Sequence, residues 1–168
     1  MKKAFVFDFD DTLAVTTSRV YVFRERGFEA IESHKFASYE SSDADLDMDF
    51  SEFQDADKSR PHIQYAKPCE MIDFALEMQS YGHSVYVLTA RCAESAPDIA
   101  DFLGKYGLKP KHIEGVGVNA NGETGSAKPK RRFLESLTGK YDEITFYDDD
   151  LKNINMAKQL GIECIWVE

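Results

Sequence analysis

The sequence predicts a doubly wound α/β fold, a parallel sheet with helices on both faces. Three observations predict it: short apolar runs without polar alternation, segments of helical period that end at glycine, and a regular exchange of one for the other beyond residue 67. Runs without alternation suit strands covered on both sides, and such strands follow one another through right-handed helical crossovers.

The first run is residues 3–9, rich in Phe and Val, and it ends in the aspartates of "FVFDFDDTL". Residues 14–67 then break the rhythm and read as an insertion between the first strand and the first helix of the repeat. Within it "RVYVF", "RERG" and "FEAI" predict a β-hairpin, and "SHKFASYE" a short helix capped by Ser33. Residues 40–57 carry eight acidic residues and no basic one. A calcium loop needs glycine at its sixth position, and that slot holds Leu46, Met48 or Phe50 in the three plausible registers, so the stretch reads as a solvated acidic loop anchored by Phe50 and Phe53. Met71, Phe74, Ala75 and Met78 recur at helical spacing between Pro68 and Gly82. "SVYVL" at 84–88 is the next strand, followed by a helix through Ile99, Phe102, Leu103 and Tyr106 that stops at Gly107. "IEGVGV" at 113–118, a helix through Phe133, Leu134 and Leu137, "EITFY" at 143–147, a helix through Leu151, Ile154, Ala157 and Leu160, and "ECIWV" at 163–167 complete the series.

A chain of 168 residues suits one domain, burying roughly 70% of the surface that its unfolded form exposes. Cys69, Cys92 and Cys164 are too few and too scattered for a disulfide framework and form no CxxC pair, which fits a reducing compartment. "MKKAFVF" imitates the start of a signal peptide until Asp8 interrupts it, so a soluble, cytoplasmic protein without a membrane span is expected. The net charge of −10 argues against nonspecific tracking of nucleic-acid backbone. A local basic pocket is compatible with it, and "KPKRR" at 128–132 is the densest positive cluster.

Crowded carboxylates repel one another and lose hydration, so a fold keeps them chiefly where a cation or a reaction uses them. Asp8 and Asp10 lie two apart and project to one side as the first strand leaves the sheet. Thr89 ends a second strand, and Asp148 with Asp149 ends a third. Ligands of open α/β sheets bind beyond the carboxyl ends of the strands, where all of these groups gather. Lys128, ahead of the third helix, and Arg91 are the candidate cations. His34, His62, His83 and His112 show no ligand spacing.

"DFDDT" at 8–12, the apolar run ending in Thr89, Lys128 in "KPK" and "YDDDLKN" at 147–153 together resemble the four motifs of the haloacid dehalogenase-like phosphohydrolases, in order along the chain. The resemblance implies a five-stranded Rossmann-like parallel sheet, a small cap at residues 14–67, Mg²⁺ as cofactor and an aspartyl-phosphate mechanism. Asp8 would be the nucleophile, Asp10 the general acid and then the base, Thr89 a phosphoryl ligand and Lys128, in preference to Lys130, the charge-balancing lysine. Mg²⁺ would be held by Asp8, the main-chain carbonyl of Asp10, and Asp148, with Asp149 orienting a metal-bound water. Thr12, Arg91 and Lys130 are expected to contact the substrate, and Asp150 to cap the next helix.

Asp10 marks phosphatases rather than dehalogenases within that superfamily. A receiver domain shares an acidic pocket, Thr and Lys but places its acidic pair first, whereas here the pair comes last; a Mg²⁺-binding interaction protein without turnover is the other alternative. "LTAR" at 88–91, "YDD" and "GIECIWV" are similar to the phosphatase half of polynucleotide kinase 3′-phosphatases, and "FASYE" with "DFSEF" to small phage-encoded relatives. A phosphorylated substrate is therefore expected, either a small molecule or a nucleic-acid end, with no stable protein partner.

Overall fold

Alternate residues of strand β1 (Lys3–Phe7) enter different cores, which is why its sequence is apolar without alternation. Phe7 packs on one face with Ile72 and Ala75 of α4 (Met71–Ser80) and with Ile99, Phe102 and Leu103 of α5 (Ala96–Gly104). Ala4 and Val6 pack on the other with Leu134 and Leu137 of α6 (Ala127–Leu137) and Ile154 and Ala157 of α7 (Leu151–Lys158). These are the three layers of a computed structural model that describes residues 1–39, 45–118 and 125–168.

The sheet has five parallel strands in the order β10 (Glu163–Trp166), β9 (Glu143–Asp148), β1, β7 (Ser84–Thr89) and β8 (His112–Gly115). β1 is therefore central, with β9 and β7 on either side, and the chain's direction of travel across the sheet reverses beside β1. That reversal opens a crevice at the carboxyl ends of β1 and β9. β1 stops at Phe7, two residues short of the expected run, because Asp8 to Ala14 fold into a tight turn. The amides of Leu13 and Ala14 both bond the Phe9 carbonyl, and Asp11 takes the left-handed conformation, φ 63°, which Asp tolerates better than most residues.

The insertion starts and ends in a two-residue antiparallel ladder, β2 (Ala14–Val15) paired with β6 (Lys67–Pro68). Between them β3 (Arg19–Arg24) and β4 (Gly27–Glu32) form the expected hairpin. The acidic stretch differs from expectation. Residues 40–44 lie outside the described residues, but Asp45–Asp49 form a third strand, β5, on the other edge of β3. Two helices follow, α2 (Ser51–Gln54) and α3 (Ala56–Gln64), and Asp55 caps α3 by accepting from the amides of Asp57 and Lys58. Ser33 is not a cap either: it is the first residue of α1 (Ser33–Phe36), and Glu32 precedes it without a side-chain bond to the helix. No helix among the described residues is long and apolar enough to cross a membrane.

Candidate active site

Asp8 follows β1 and is fixed through its amide, which bonds the carbonyl of Tyr147 on β9 at 2.9 Å. Asp148, the last residue of β9, is fully buried. Its carboxylate accepts from the Asp150 amide at 2.9 Å, the Asn153 side chain at 3.0 Å and the Lys130 ammonium at 2.8 Å. Lys130 also donates to Asp8 at 3.1 Å. Asp149 is anchored from the C-terminal end of the chain, where the Trp166 indole donates to its carbonyl at 2.9 Å. Asp150 caps α7, accepting from the Lys152 amide at 2.9 Å.

Carboxylate oxygens of Asp8, Asp148 and Asp149 all lie within 4.8 Å of one another. Burial, and then Asp148, hold the Asp8 carboxyl well above its usual range; Lys130 opposes this, and the neighbouring Asp149 adds to the rise. Burial pushes Asp149 up to about 7. Burial by itself would lower Lys130, but Asp148 and Asp8 more than reverse that and keep it charged. One cation faces three carboxylates, so the cluster has a deficit of positive charge that a divalent cation could offset, and hard oxygen donors of this kind suit Mg²⁺.

Asp10 is turned away from that cluster. Its two oxygens meet the fork of Arg91, with Nε to Oδ2 at 2.9 Å and Nη2 to Oδ1 at 2.7 Å, and the Thr16 hydroxyl donates to Oδ1 at 2.7 Å. Arg91 is 0% exposed. Its other donors reach the Glu52 carbonyl at 2.9 Å, the Thr16 hydroxyl at 3.0 Å and the Ser18 hydroxyl at 2.9 Å, and its guanidinium lies 4.6 Å from the centre of the Phe53 ring. Thr89 lies beneath it, buried, accepting from the Arg91 amide at 3.1 Å. Arg91 thus ties the turn after β1 to the inserted segment.

The structure brings together Asp8, Asp148, Asp149 and a lysine, and that lysine is Lys130; Lys128 is exposed on the outer side of the same helix. Three residues expected at the phosphate or substrate, Thr89, Arg91 and Thr12, are buried and do not line the cleft. The fork of Arg91 is engaged by Asp10. Thr12 sits in the turn after β1 and is fully buried. Sequence reasoning missed Thr16, Ser18 and Glu52, the Arg91 cradle, whose role depends on contacts across more than thirty residues of chain. It also missed Trp166.

Above the carboxylates is a cleft of about 640 Å³. Its floor is Asp8, Asp10, Lys130, Asp148 and Asp149, and its roof is the inserted segment, with Val20, Phe36, Tyr39, Met48, Phe50 and Phe53. Gln54 ties roof to floor by donating to the Ala90 carbonyl at 2.8 Å.

No family model and no curated protein matches the sequence. Solved structures match its shape. A chain of the Pnkp1/Rnl/Hen1 RNA repair complex superposes with a TM-score of 0.67 at 18% identity, over 99% of this chain and 42% of that one. A haloacid dehalogenase-like hydrolase from Streptococcus pneumoniae gives 0.57 at 20% identity, over 98% and 84%. A phosphoserine phosphatase, solved as an analogue of its phospho-aspartyl intermediate, gives 0.56 at 18%, over 96% and 85%. The chain thus spans less than half the length of the RNA repair protein it matches, but most of the length of the two hydrolases. Identities this low carry the architecture, and on that ground the chain has the haloacid dehalogenase-like fold.

Proposed function

We propose that the chain is a Mg²⁺-dependent phosphatase that hydrolyses a phosphomonoester through an aspartyl phosphate on Asp8. The observation that carries the reading is the cluster of buried Asp8 and Asp148 with half-buried Asp149, beside Lys130 on the floor of a cleft. Mg²⁺, held by the Asp8 and Asp148 carboxylates and the Asp10 carbonyl beside Asp149, would neutralise phosphate oxygens and the nucleophile together. Lys130 keeps Asp8 oriented and shares its charge. An Asp8 oxygen attacks phosphorus as the bond to the leaving oxygen breaks, and Asp10 supplies the proton that oxygen needs. Water then attacks the phosphoryl group, Asp10 takes its proton, and phosphate leaves with Asp8 restored. As held here Asp10 accepts three hydrogen bonds, two from Arg91 and one from Thr16.

Phosphate release from a panel of phosphomonoesters with Mg²⁺ tests the reading. Asp8→Asn, nearly isosteric and a poor nucleophile, is expected to abolish release while the circular dichroism spectrum is kept; turnover near that of the parent refutes it. A nucleic-acid end as substrate has one specific support, the likeness to a chain of an RNA repair complex. The commitment of Arg91 to Asp10 weighs against it.

A further inference from the structure

We propose that the cleft takes a nucleoside monophosphate, a leaving group with a flat aromatic ring and one phosphate, in preference to a polyol phosphate or a polynucleotide end; this rests on the phosphatase reading above. Phe36 stacks on Tyr39 with centroids 5.7 Å apart and planes 18° from parallel, and Phe50 meets Phe36 edge-on at 5.5 Å. All three line the roof and are half-buried, although Val20 and Val22 of the same inserted segment are fully buried. The aromatic surface left uncovered faces the cleft that holds Asp8. Two polar side chains of the cleft are already engaged: the Tyr39 hydroxyl bonds Asp45 at 2.6 Å and the Asn153 amide bonds Asp148. A ring needs no such donor, because every base has a π-face to stack.

Charge limits the ligand to one phosphate. Among the described residues the cleft is lined by six carboxylates, those of Asp8, Asp10, Asp47, Asp148, Asp149 and Asp150, against Lys130 and Lys152. Lys130 is committed to two of them. The segments 40–44 and 119–124, outside the described residues, contain no Lys or Arg in their sequence. A polynucleotide needs a row of cations along its backbone, and this cleft does not provide one. Its volume of about 640 Å³ suits a small molecule of nucleotide size.

The test compares nucleoside 5′-monophosphates with ribose 5-phosphate, which presents the same leaving oxygen without the ring. With Mg²⁺, kcat/KM is expected to favour the nucleotides by about tenfold or more, the scale of one stacked base. Phe36→Leu and Tyr39→Leu should each move that ratio toward one. A nucleoside 3′-monophosphate should also outperform a 3′-phosphorylated oligonucleotide. Equal kcat/KM for nucleotide and ribose 5-phosphate, or preference for the oligonucleotide, overturns the proposal. Calorimetry on the Asp8→Asn protein with Mg²⁺ reads the ring without turnover, with the nucleoside monophosphate expected to bind about tenfold tighter than ribose 5-phosphate. That preference without turnover in the parent would refute the phosphatase reading and leave ring recognition standing; its absence refutes ring recognition whatever the turnover.

Discussion

Raising the pH in the presence of a chelator should destabilise this protein, and the size of the effect follows from Asp149. Its carboxyl sits at about 7 in the fold, against about 3.9 in an unfolded chain. Between those values the folded state holds a proton that the unfolded state has released. The slope of unfolding free energy with pH is set by protons bound unfolded minus protons bound folded, here negative, so stability falls as pH rises through this window. One proton is worth about 1.4 kcal/mol per pH unit until the group itself titrates near 7, hence about 2 kcal/mol from pH 5 to 7 and about 4 kcal/mol over the whole window. A domain of this size loses roughly 2–4 °C in Tm per kcal/mol, which makes about 4–8 °C from pH 5 to 7. The assay is thermal unfolding in EDTA at constant ionic strength, parent against Asp149→Asn, so that carboxylates elsewhere cancel. The parent should lose this much relative to the variant as pH rises. Mg²⁺ replaces the proton as the balancing charge, so at about a hundred times its Kd it should restore about 2.7 kcal/mol near neutrality. A parent-minus-variant difference that is flat from pH 5 to 7 in chelator would refute the reasoning.

Lys130→Met leaves the buried carboxylates unopposed and should lower stability in EDTA by about 3–5 kcal/mol, with Mg²⁺ recovering part, whereas Lys128→Met should stay within about 0.5 kcal/mol by denaturant unfolding. Arg91→Lys keeps the charge but loses the paired bonds to Asp10, so kcat should fall much more than KM rises, in contrast to the KM effect of a residue that grips substrate. Asp10→Asn should reduce phosphate release by about 10²–10⁴, most for esters with poor leaving groups, measured across a series of leaving-group pKa values.

The order of strands and helices was legible because each apolar run and each helical stripe is local. Phe133, Leu134 and Leu137 were enough to place a helix, and its turn toward the sheet was also legible: Lys130, Leu134 and Leu137 fall at i, i+4 and i+7 and share its buried face. Weighing the spacing to Phe133 and Leu134 instead of the helix face selected Lys128. The strand at 45–49 was likewise visible as the alternation Asp-Leu-Asp-Met-Asp, but the excess of acid suggested a loop, and pairing with β3 supplies what composition hides. Asp8, Asp148 and Asp149 were legible as strand-end carboxylates. The partner of Asp10 was not, since Arg91 lies 81 residues away and nothing in "LTAR" says whether the fork points into the cleft or beneath it.

The short ladder of β2 with β6 separates two design problems. Strand partners lie about 5 Å apart, so the ladder presents the sheet with two adjacent ends, whatever is strung between them. Loop-closure entropy grows only with the logarithm of length, and doubling the segment between those ends costs roughly 0.6 kcal/mol. A scaffold with such a socket can exchange one roof for a larger or smaller one while its reaction centre is left alone. Grafting a foreign roof onto residues 14–15 and 67–68 is therefore a route to new substrates that preserves the chemistry beneath.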